Sequence, residues 1–124
     1  MAIETLGIRH IHLLVSDHNL SVAFYERVFG MEVGFRDGNI LFLQSPNGRD
    51  DLSLHLAVTQ QERARVGDQG GCEHFGITVK DRNRLDDAIA LVIEAGGTLV
   101  DKGEHAPGVP YAYVSDPDGY VIEI

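Results

Sequence analysis

The side chains best suited to chemistry are three histidines and one carboxylate that stand in short apolar segments of the sequence. His10, His55 and His74 each have aliphatic or aromatic neighbours, and Glu123 stands between two isoleucines. A carboxylate is costly to bury in an apolar strand unless a positive or hydrogen-bonding group meets it. Imidazoles and carboxylates together are donors that first-row divalent metals accept. These four residues are therefore candidate metal ligands.

The elements that must position them form a unit of one strand, one helix and three strands. The first copy opens with apolar alternation at Ile11, Leu13 and Val15, and Ser16-Asp17 supplies an N-cap signal for a helix that ends at Gly30. Three further strands are predicted at 32–36, 39–44 and 52–58. Asp37-Gly38 is a hairpin signal between the first two.

The same unit is predicted a second time after a polar linker at 59–71, which has the composition for one helical turn at 60–65. A strand with apolar positions at Phe75, Ile77 and Val79 leads to a second helix that ends at Gly96-Gly97. The predicted strands that follow are 98–102, 111–115 and 120–124, with a loop at 103–110. Two such copies indicate a pseudo-symmetric pair of modules, 8–58 and 72–124, in one domain.

Both modules have a proline- and glycine-containing turn near their last strand. The turns are Ser45-Pro46-Asn47-Gly48 and Asp116-Pro117-Asp118-Gly119. In each module a histidine stands on or beside the first strand, and a polar residue, His55 or Glu123, stands on the last. A single histidine in a strand is more often a hydrogen-bonded surface residue than a ligand. The symmetric placement on four strands is what favours a metal site on the face of the sheet away from the helices.

Composition limits the other classes of function. The chain has 124 residues, 44% hydrophobic and 23% charged, as expected for one globular domain. A net charge of −9 argues against nonspecific nucleic-acid binding. No apolar run reaches the roughly 20 residues that span a bilayer, and the start lacks a secretion signal, so a cytoplasmic location is expected. The single cysteine, Cys72, has no partner for an internal disulfide.

Several motifs resemble the vicinal oxygen chelate superfamily, which includes glyoxalase I, methylmalonyl-CoA epimerase, extradiol dioxygenases, fosfomycin-resistance transferases and bleomycin-binding proteins. The matching stretches cover nearly the whole chain. They are His10-Ile11-His12-Leu13-Leu14-Val15-Ser16-Asp17, Ser21-Val22-Ala23-Phe24-Tyr25, Val28-Phe29-Gly30-Met31, His74-Phe75-Gly76-Ile77-Thr78-Val79 and the segment from Asp116 to Glu123.

The resemblance implies an α+β fold of two βαβββ modules that form a cupped mixed sheet, in a homodimer, with a divalent metal ion in the cup. By position it assigns the ligands His10, His74 and Glu123. His55 falls where glyoxalase-like members carry a fourth ligand, generally Glu or Gln. The ion is expected to be Zn, Ni, Co, Mn or Fe, and the partner a small-molecule substrate with adjacent oxygen atoms.

Other positions bear on the reaction. Extradiol enzymes carry a catalytic histidine where this chain has Asp50-Asp51, which weakens the resemblance to them. Glutathione-dependent glyoxalases carry an arginine where this chain has Leu14. Tyr113 matches a tyrosine of the fosfomycin transferases, whose remaining apparatus is not evident. Bleomycin-binding members generally lack the metal ligands that this chain keeps. Glyoxalase-like lyase or isomerase chemistry is therefore favoured, with a ring-cleaving dioxygenase and a non-catalytic binding protein as alternatives.

Three aromatic side chains and the carboxylate are further candidates for substrate chemistry. Glu123 either binds the ion or leaves it to act as a base, and His12 is either a general base, a substrate contact or a hydrogen-bond partner of a ligand. Tyr111 and Tyr113 share a strand face that either lines the substrate pocket or packs at the edge of the core. No role is predicted for His105, which falls in the predicted loop.

Overall fold

The first module has the predicted order of elements in the computed structural model, which describes residues 1–46 and 48–124. Its strands are β1 (His10–Val15), β2 (Glu32–Asp37), β3 (Ile40–Gln44) and β4 (Asp51–Leu56), and its helix is α1 (His18–Phe29). A short helix, α2 (Gln60–Arg65), lies in the linker. The sheet has the order β1-β4-β3-β2, with β1 parallel to β4 and the other neighbours antiparallel. The predicted turn at Ser45-Pro46-Asn47-Gly48 includes Asn47, which lies outside the described residues.

The second module repeats this arrangement, which confirms the predicted α+β fold of two βαβββ units. Its elements are β5 (Phe75–Gly76), α3 (Leu85–Glu94), β6 (Thr98–Ala106), β7 (Val109–Ser115) and β8 (Val121–Glu123), with a short 3-10 turn at Arg82–Arg84 before α3. The sheet order is β5-β8-β7-β6, and β5 is parallel to β8 as β1 is to β4. The first and last strands of each module are therefore neighbours, and their side chains share one face.

Two sequence predictions about the second module are wrong. The segment predicted as a loop at 103–110 is a hairpin, because β6 continues to Ala106 and β7 begins at Val109. The two residues between them are Pro107-Gly108, and Gly108 takes a φ of 78°, which a tight hairpin turn requires and glycine adopts without strain. The strand predicted at 75–79 is hydrogen-bonded as a strand only at Phe75–Gly76, so His74 lies just before it.

Helices α1 and α3 cover one face of the two sheets, and buried residues from both modules form one apolar cluster. Its fully buried members include Val15, Phe24, Leu54, Val92 and Val114. The start of α1 follows the predicted cap, because the Asp17 carboxylate accepts hydrogen bonds from the backbone of the first helical turn. Burial of this cluster against water is the main term holding the modules together.

Polar contacts between the modules fix the turn that precedes β8. The Tyr25 hydroxyl of α1 donates to Asp116 Oδ2 at 2.7 Å, and both side chains are buried. Asp116 Oδ1 accepts from the backbone N–H groups of Asp118 and Tyr120 at 2.9 and 3.0 Å. The Ser16 hydroxyl donates to Asp118 Oδ1 at 2.6 Å. The carboxylate that the sequence places at the start of this turn thus joins both modules and sets where β8 begins.

Among the described residues, the helices are too short or too polar to cross a membrane.

Candidate functional site

The open face of the first sheet carries a line of imidazoles. Strand alternation turns Ile11 and Leu13 of β1 toward the core, and it turns His10 and His12 to the other side. His12 pairs in register with Ser53 of β4, and its Nδ1 lies 2.7 Å from the Ser53 hydroxyl. His12 Nε2 lies 3.2 Å from Nδ1 of His55, which is on β4 with Ser53. These contacts form the first half of the candidate site.

Both ring nitrogens of His12 are engaged by neighbouring protein groups, so a substrate would meet it only through those neighbours. Burial, followed by the positive charges of His55 and His10, holds the pKa of His12 below its usual value. His12 therefore stays neutral more readily than a free imidazole does. Of the roles predicted for it, the hydrogen-bond partner agrees best with these contacts.

The lowered pKa of His12 predicts an acid-side loss of stability. Because the folded chain binds this proton less tightly than the unfolded chain, the unfolded chain is protonated first as the pH falls through 6.5. The contribution of His12 is therefore present above that pH and is lost below it. We expect the His12→Gln variant to lose less unfolding free energy than the wild type between neutral and mildly acidic pH. Urea unfolding at several pH values measures this, and equal slopes in both proteins would contradict it.

The second module carries a carboxylate between two imidazoles. Glu123 points to the same face of its sheet, since Ile122 is fully buried beside it. Its Oε2 lies 3.4 Å from His74 Nε2, and its Oε1 lies 2.8 Å from His105 Nε2. The carboxylate that the sequence shows between two isoleucines therefore has the positive or hydrogen-bonding partners that its burial requires.

Two tyrosines line the face next to this carboxylate. Tyr113 contacts the His74 ring edge-on at 4.9 Å between centroids, and Tyr111 stacks on the His105 ring at 4.3 Å. Gly103 lies opposite Tyr111 in the ladder, and a side chain there would meet the Tyr111 ring at about 3 Å. Burial, followed by the charge of Glu123, raises the pKa of Tyr113, so this hydroxyl remains a neutral donor.

The two clusters meet where the edge of β1 approaches the segment before β5. A cavity of about 500 Å³ opens there, and residues of both modules line it, among them His10 from the first and His74 from the second. A second cavity of about 450 Å³ adjoins it, and it is lined by His12 and again by His74. The cavity at the seam is thus lined by candidate ligands from both modules.

The donor chemistry of this seam fits a divalent metal ion. His10 and His74 supply imidazoles, and Glu123 touches His74, a set suited to Zn, Ni, Co, Mn or Fe. In residues 1–46 and 48–124, no group of three such side chains has its donor atoms arranged around one point. The candidates instead contact one another in pairs: His74 with Glu123, His55 with His12, and His10 with Ser53.

Three side chains at this face were missed by the sequence prediction. His105 was assigned to a loop, but the Pro107-Gly108 dipeptide is a hairpin signal that would have placed it on β6. Ser53 lies two positions before His55 on β4, so the two side chains share one face of the sheet. Glu62 completes a capping box with Thr59 at the start of α2, and its Oε2 lies 3.3 Å from His55 Nε2. The capping box is visible in the sequence as Thr-x-x-Glu, but its contact with His55 is not.

Residues 7–124 match the model of the Glyoxalase/Bleomycin resistance protein/Dioxygenase superfamily. The chain belongs to this superfamily. The match covers both modules and the linker, so the predicted family and fold are confirmed, and the superfamily contains both lyases and dioxygenases. The two βαβββ modules of the structure are the architecture that the family resemblance implies.

Individual relatives carry different activities. The chain is 32% identical over 124 residues to catechol-2,3-dioxygenase of Bacillus subtilis. The match covers 98% of this chain but only 41% of that protein. A glyoxalase-related enzyme from Fulvimarina pelagi is 27% identical, with a TM-score of 0.71 over 97% of this chain and 87% of that one. The lactoylglutathione lyase from Agrobacterium tumefaciens has the same TM-score at 23% identity, over 97% and 92% of the two chains, and shows the shared fold.

Proposed function

We propose that this superfamily member is a divalent-metal-dependent enzyme whose substrate is a small molecule that binds the ion through adjacent oxygen atoms. The observation that supports this most is the shared cavity at the seam, which takes one histidine from each module, His10 and His74. Glu123 stands 3.4 Å from the second of these histidines. A pocket with convergent polar groups from two structural units is the usual setting of a small-molecule site.

In this proposal His10, His74 and Glu123 hold the ion, and His55 is the fourth ligand. When bound, the ion supplies a Lewis acid that stabilises negative charge on a carbonyl or enolate oxygen of the substrate. His55 is prepared for this role by the Glu62 carboxylate, which contacts its Nε2 at 3.3 Å. Histidines that bind metals commonly place their other ring nitrogen against such a carboxylate.

The remaining residues of the second module handle the proton and the substrate. In the substrate complex the carboxylate of Glu123 would leave its place as a ligand and act as the base that accepts a proton from a carbon next to the carbonyl. Glu123 then returns that proton to the neighbouring carbon, so the isomerisation releases no net proton, and His105, whose Nε2 contacts Glu123 Oε1 at 2.8 Å, orients the carboxylate. The Tyr113 hydroxyl is placed to donate a hydrogen bond to a substrate oxygen, and the ring of Tyr111 excludes water from one side.

We favour a glyoxalase-like lyase or isomerase over ring cleavage, although the similarity to a catechol dioxygenase makes ring cleavage the second candidate. Ring-cleaving members of the family resemble this chain least at Asp50-Asp51. Here the Asp50 carboxylate accepts hydrogen bonds from the backbone and hydroxyl of Ser45, and Asp51 forms an ion pair with Arg9 at 2.9 Å. Both residues line the cavity at the seam, but their carboxylates are engaged in these local contacts.

Reconstitution separates the candidate functions. The purified chain would be stripped with a chelator, reloaded in turn with Zn, Ni, Co, Mn and Fe(II), and assayed with hemithioacetals of 2-oxoaldehydes and with catechols, with and without oxygen. We expect isomerisation that depends on the metal and is indifferent to oxygen. Oxygen-dependent cleavage of a catechol, confined to the iron form, would replace this proposal with the dioxygenase. A chain that takes up no stoichiometric metal would instead be a binding protein.

A further inference from the structure

Five polar side chains form a continuous line on the open face of the first module, from β1 across β4 to α2. His10 Nε2 lies 3.2 Å from the Ser53 hydroxyl, which lies 2.7 Å from His12 Nδ1. His12 Nε2 lies 3.2 Å from His55 Nδ1, and His55 Nε2 lies 3.3 Å from Glu62 Oε2. Each neutral imidazole has one nitrogen that carries a proton and one that does not. Fixing the proton at one end of this line therefore fixes it along the whole line.

The Glu62 end is fixed by the start of α2. Glu62 Oε1 accepts hydrogen bonds from the backbone N–H groups of Val58 and Thr59 at 3.2 and 3.0 Å. Two backbone donors at one oxygen suit an ionised carboxylate, which accepts hydrogen bonds and has no proton to donate to His55. An imidazole lone pair facing that carboxylate would be repelled. The proton of His55 is therefore on Nε2, and its Nδ1 is unprotonated.

The direction then passes from His55 to His10. Because His55 Nδ1 has no proton, His12 must donate to it from Nε2, which leaves His12 Nδ1 as an acceptor. The Ser53 hydroxyl gives its single proton to that acceptor at 2.7 Å rather than to the Ile11 carbonyl at 3.3 Å. The serine oxygen then accepts from His10 Nε2. His10 is left with an unprotonated Nδ1, the form that a metal ligand needs.

We propose that Glu62 is a positioning residue, which sets the tautomers of His55, His12 and His10 through this one-directional chain of hydrogen bonds. The proposal deepens the metal-dependent function above and rests on it for its consequence. Glu62 does not line either cavity at the seam, and it acts from a helix that belongs to the linker between the modules. The effect is to leave Nδ1 as the unprotonated nitrogen of both His10 and His55. On His55 that nitrogen accepts from His12, so an ion bound there would take the place of this hydrogen bond.

The Glu62→Gln variant reverses this direction without disturbing the helix. Glutamine is accepted at the same position of a capping box, and its amide oxygen must remain with the two backbone donors, since its NH₂ group cannot accept from them. The amide nitrogen then faces His55 Nε2 and donates to it. The His55 proton must move to Nδ1, and the bond to His12 reverses.

The test reads the ring nitrogens directly in metal-free protein. Nitrogen-15 NMR at mildly alkaline pH, where the imidazoles are neutral, distinguishes protonated from unprotonated ring nitrogens. We expect His55 to carry its proton on Nε2 in the wild type and on Nδ1 in Glu62→Gln. The control is Glu26→Gln, which removes the same charge from an exposed position on α1 and should match the wild type. A wild-type spectrum with the proton on His55 Nδ1, or an unchanged tautomer in Glu62→Gln, would overturn the proposal.

A Zn²⁺ titration of the same three proteins separates this proposal from the proposed function. Loss of a carboxylate that orients a ligand typically weakens metal binding by about 10- to 100-fold, and we expect Glu62→Gln to fall in that range with Glu26→Gln unchanged. Equal affinity in wild type and Glu62→Gln would overturn the positioning role. If the wild type shows the expected tautomers but binds no Zn²⁺, the metal-dependent function fails while the direction set by Glu62 stands.

Discussion

The Glu123→Gln variant is expected to bind Zn²⁺ at least about 10- to 100-fold more weakly than the wild type, which is the loss typical of removing even an indirect partner of a ligand. The substitution keeps the size of the side chain and removes its charge. Glu123 is the carboxylate that contacts both His74 and His105, at 3.4 and 2.8 Å. Competition with a chromogenic chelator would measure the affinity, and any isomerase activity should fall with metal occupancy.

The matched control for this variant is Glu104→Gln, which removes the same charge from an exposed position of β6 in the same sheet. It should bind Zn²⁺ as the wild type does. Unchanged affinity in Glu123→Gln would show that the metal-binding carboxylate has been misassigned. Equal losses in both variants would show that only the net negative charge of the chain matters, as for ions attracted by a general surface potential.

The Asp116→Ala variant is expected to lower the free energy of unfolding by about 3 kcal/mol, because three donors lose their acceptor at roughly 1–3 kcal/mol each and such losses are not fully additive. The donors are the Tyr25 hydroxyl and the backbone N–H groups of Asp118 and Tyr120. Asp116 is 2% exposed, so water cannot easily replace it. Urea unfolding followed by circular dichroism measures the change.

Two conservative variants test the physical reason for that loss. Asp116→Asn keeps an oxygen for the two backbone donors and places its NH₂ group against the Tyr25 oxygen, so it should cost much less than alanine. Burial is the main cause that raises the pKa of Asp116 above its usual value, so the uncharged amide also escapes a desolvation cost. If Asn is as damaging as Ala, the charge itself, and not the hydrogen bonds, holds the turn.

The fold was largely predictable because its information is local and repeated. Alternation placed β1 and β3, the Asp17 and Gly30 signals bounded α1, and the repetition of the pattern indicated two equivalent modules. The error at 103–110 arose because polar residues and a proline suggested a loop, although Pro107-Gly108 is itself a hairpin turn. A strand at the edge of a sheet, such as β6, exposes most of its side chains, so it lacks the apolar pattern by which strands are recognised.

The site was less predictable than the fold, because its contacts join residues that are distant in sequence. Alternation predicted that His10, His55, His74 and Glu123 all face away from the helices. In the structure His55 contacts His12 in the first module, and His74 contacts Glu123 in the second. The register that puts His12 opposite Ser53, and the position of α2 that brings Glu62 to His55, depend on packing across the module. Sequence alone therefore predicted the candidate ligands but not the groups that orient them.

The modules contribute unequally to the proposed chemistry. The first module supplies the imidazoles of His10, His12 and His55, which form a line that ends at Glu62 on the linker helix. The second supplies the Glu123 carboxylate, with imidazoles and tyrosines beside it. Because the cavity between β1 and the segment before β5 is lined by both His10 and His74, anything that loosens the contact between modules should also weaken the site. The Asp116 turn is one such contact, and it precedes the strand that carries Glu123.

The most direct test of the account is a calorimetric titration of Zn²⁺ into three metal-free proteins: the wild type, His10→Ala and His74→Ala. The central claim is that one ion is held jointly by both modules. It predicts saturable binding of a single ion per chain in the wild type and a large loss of affinity in each variant. Wild-type affinity retained in either variant, or no saturable binding to the wild type, would contradict a metal site shared between the modules.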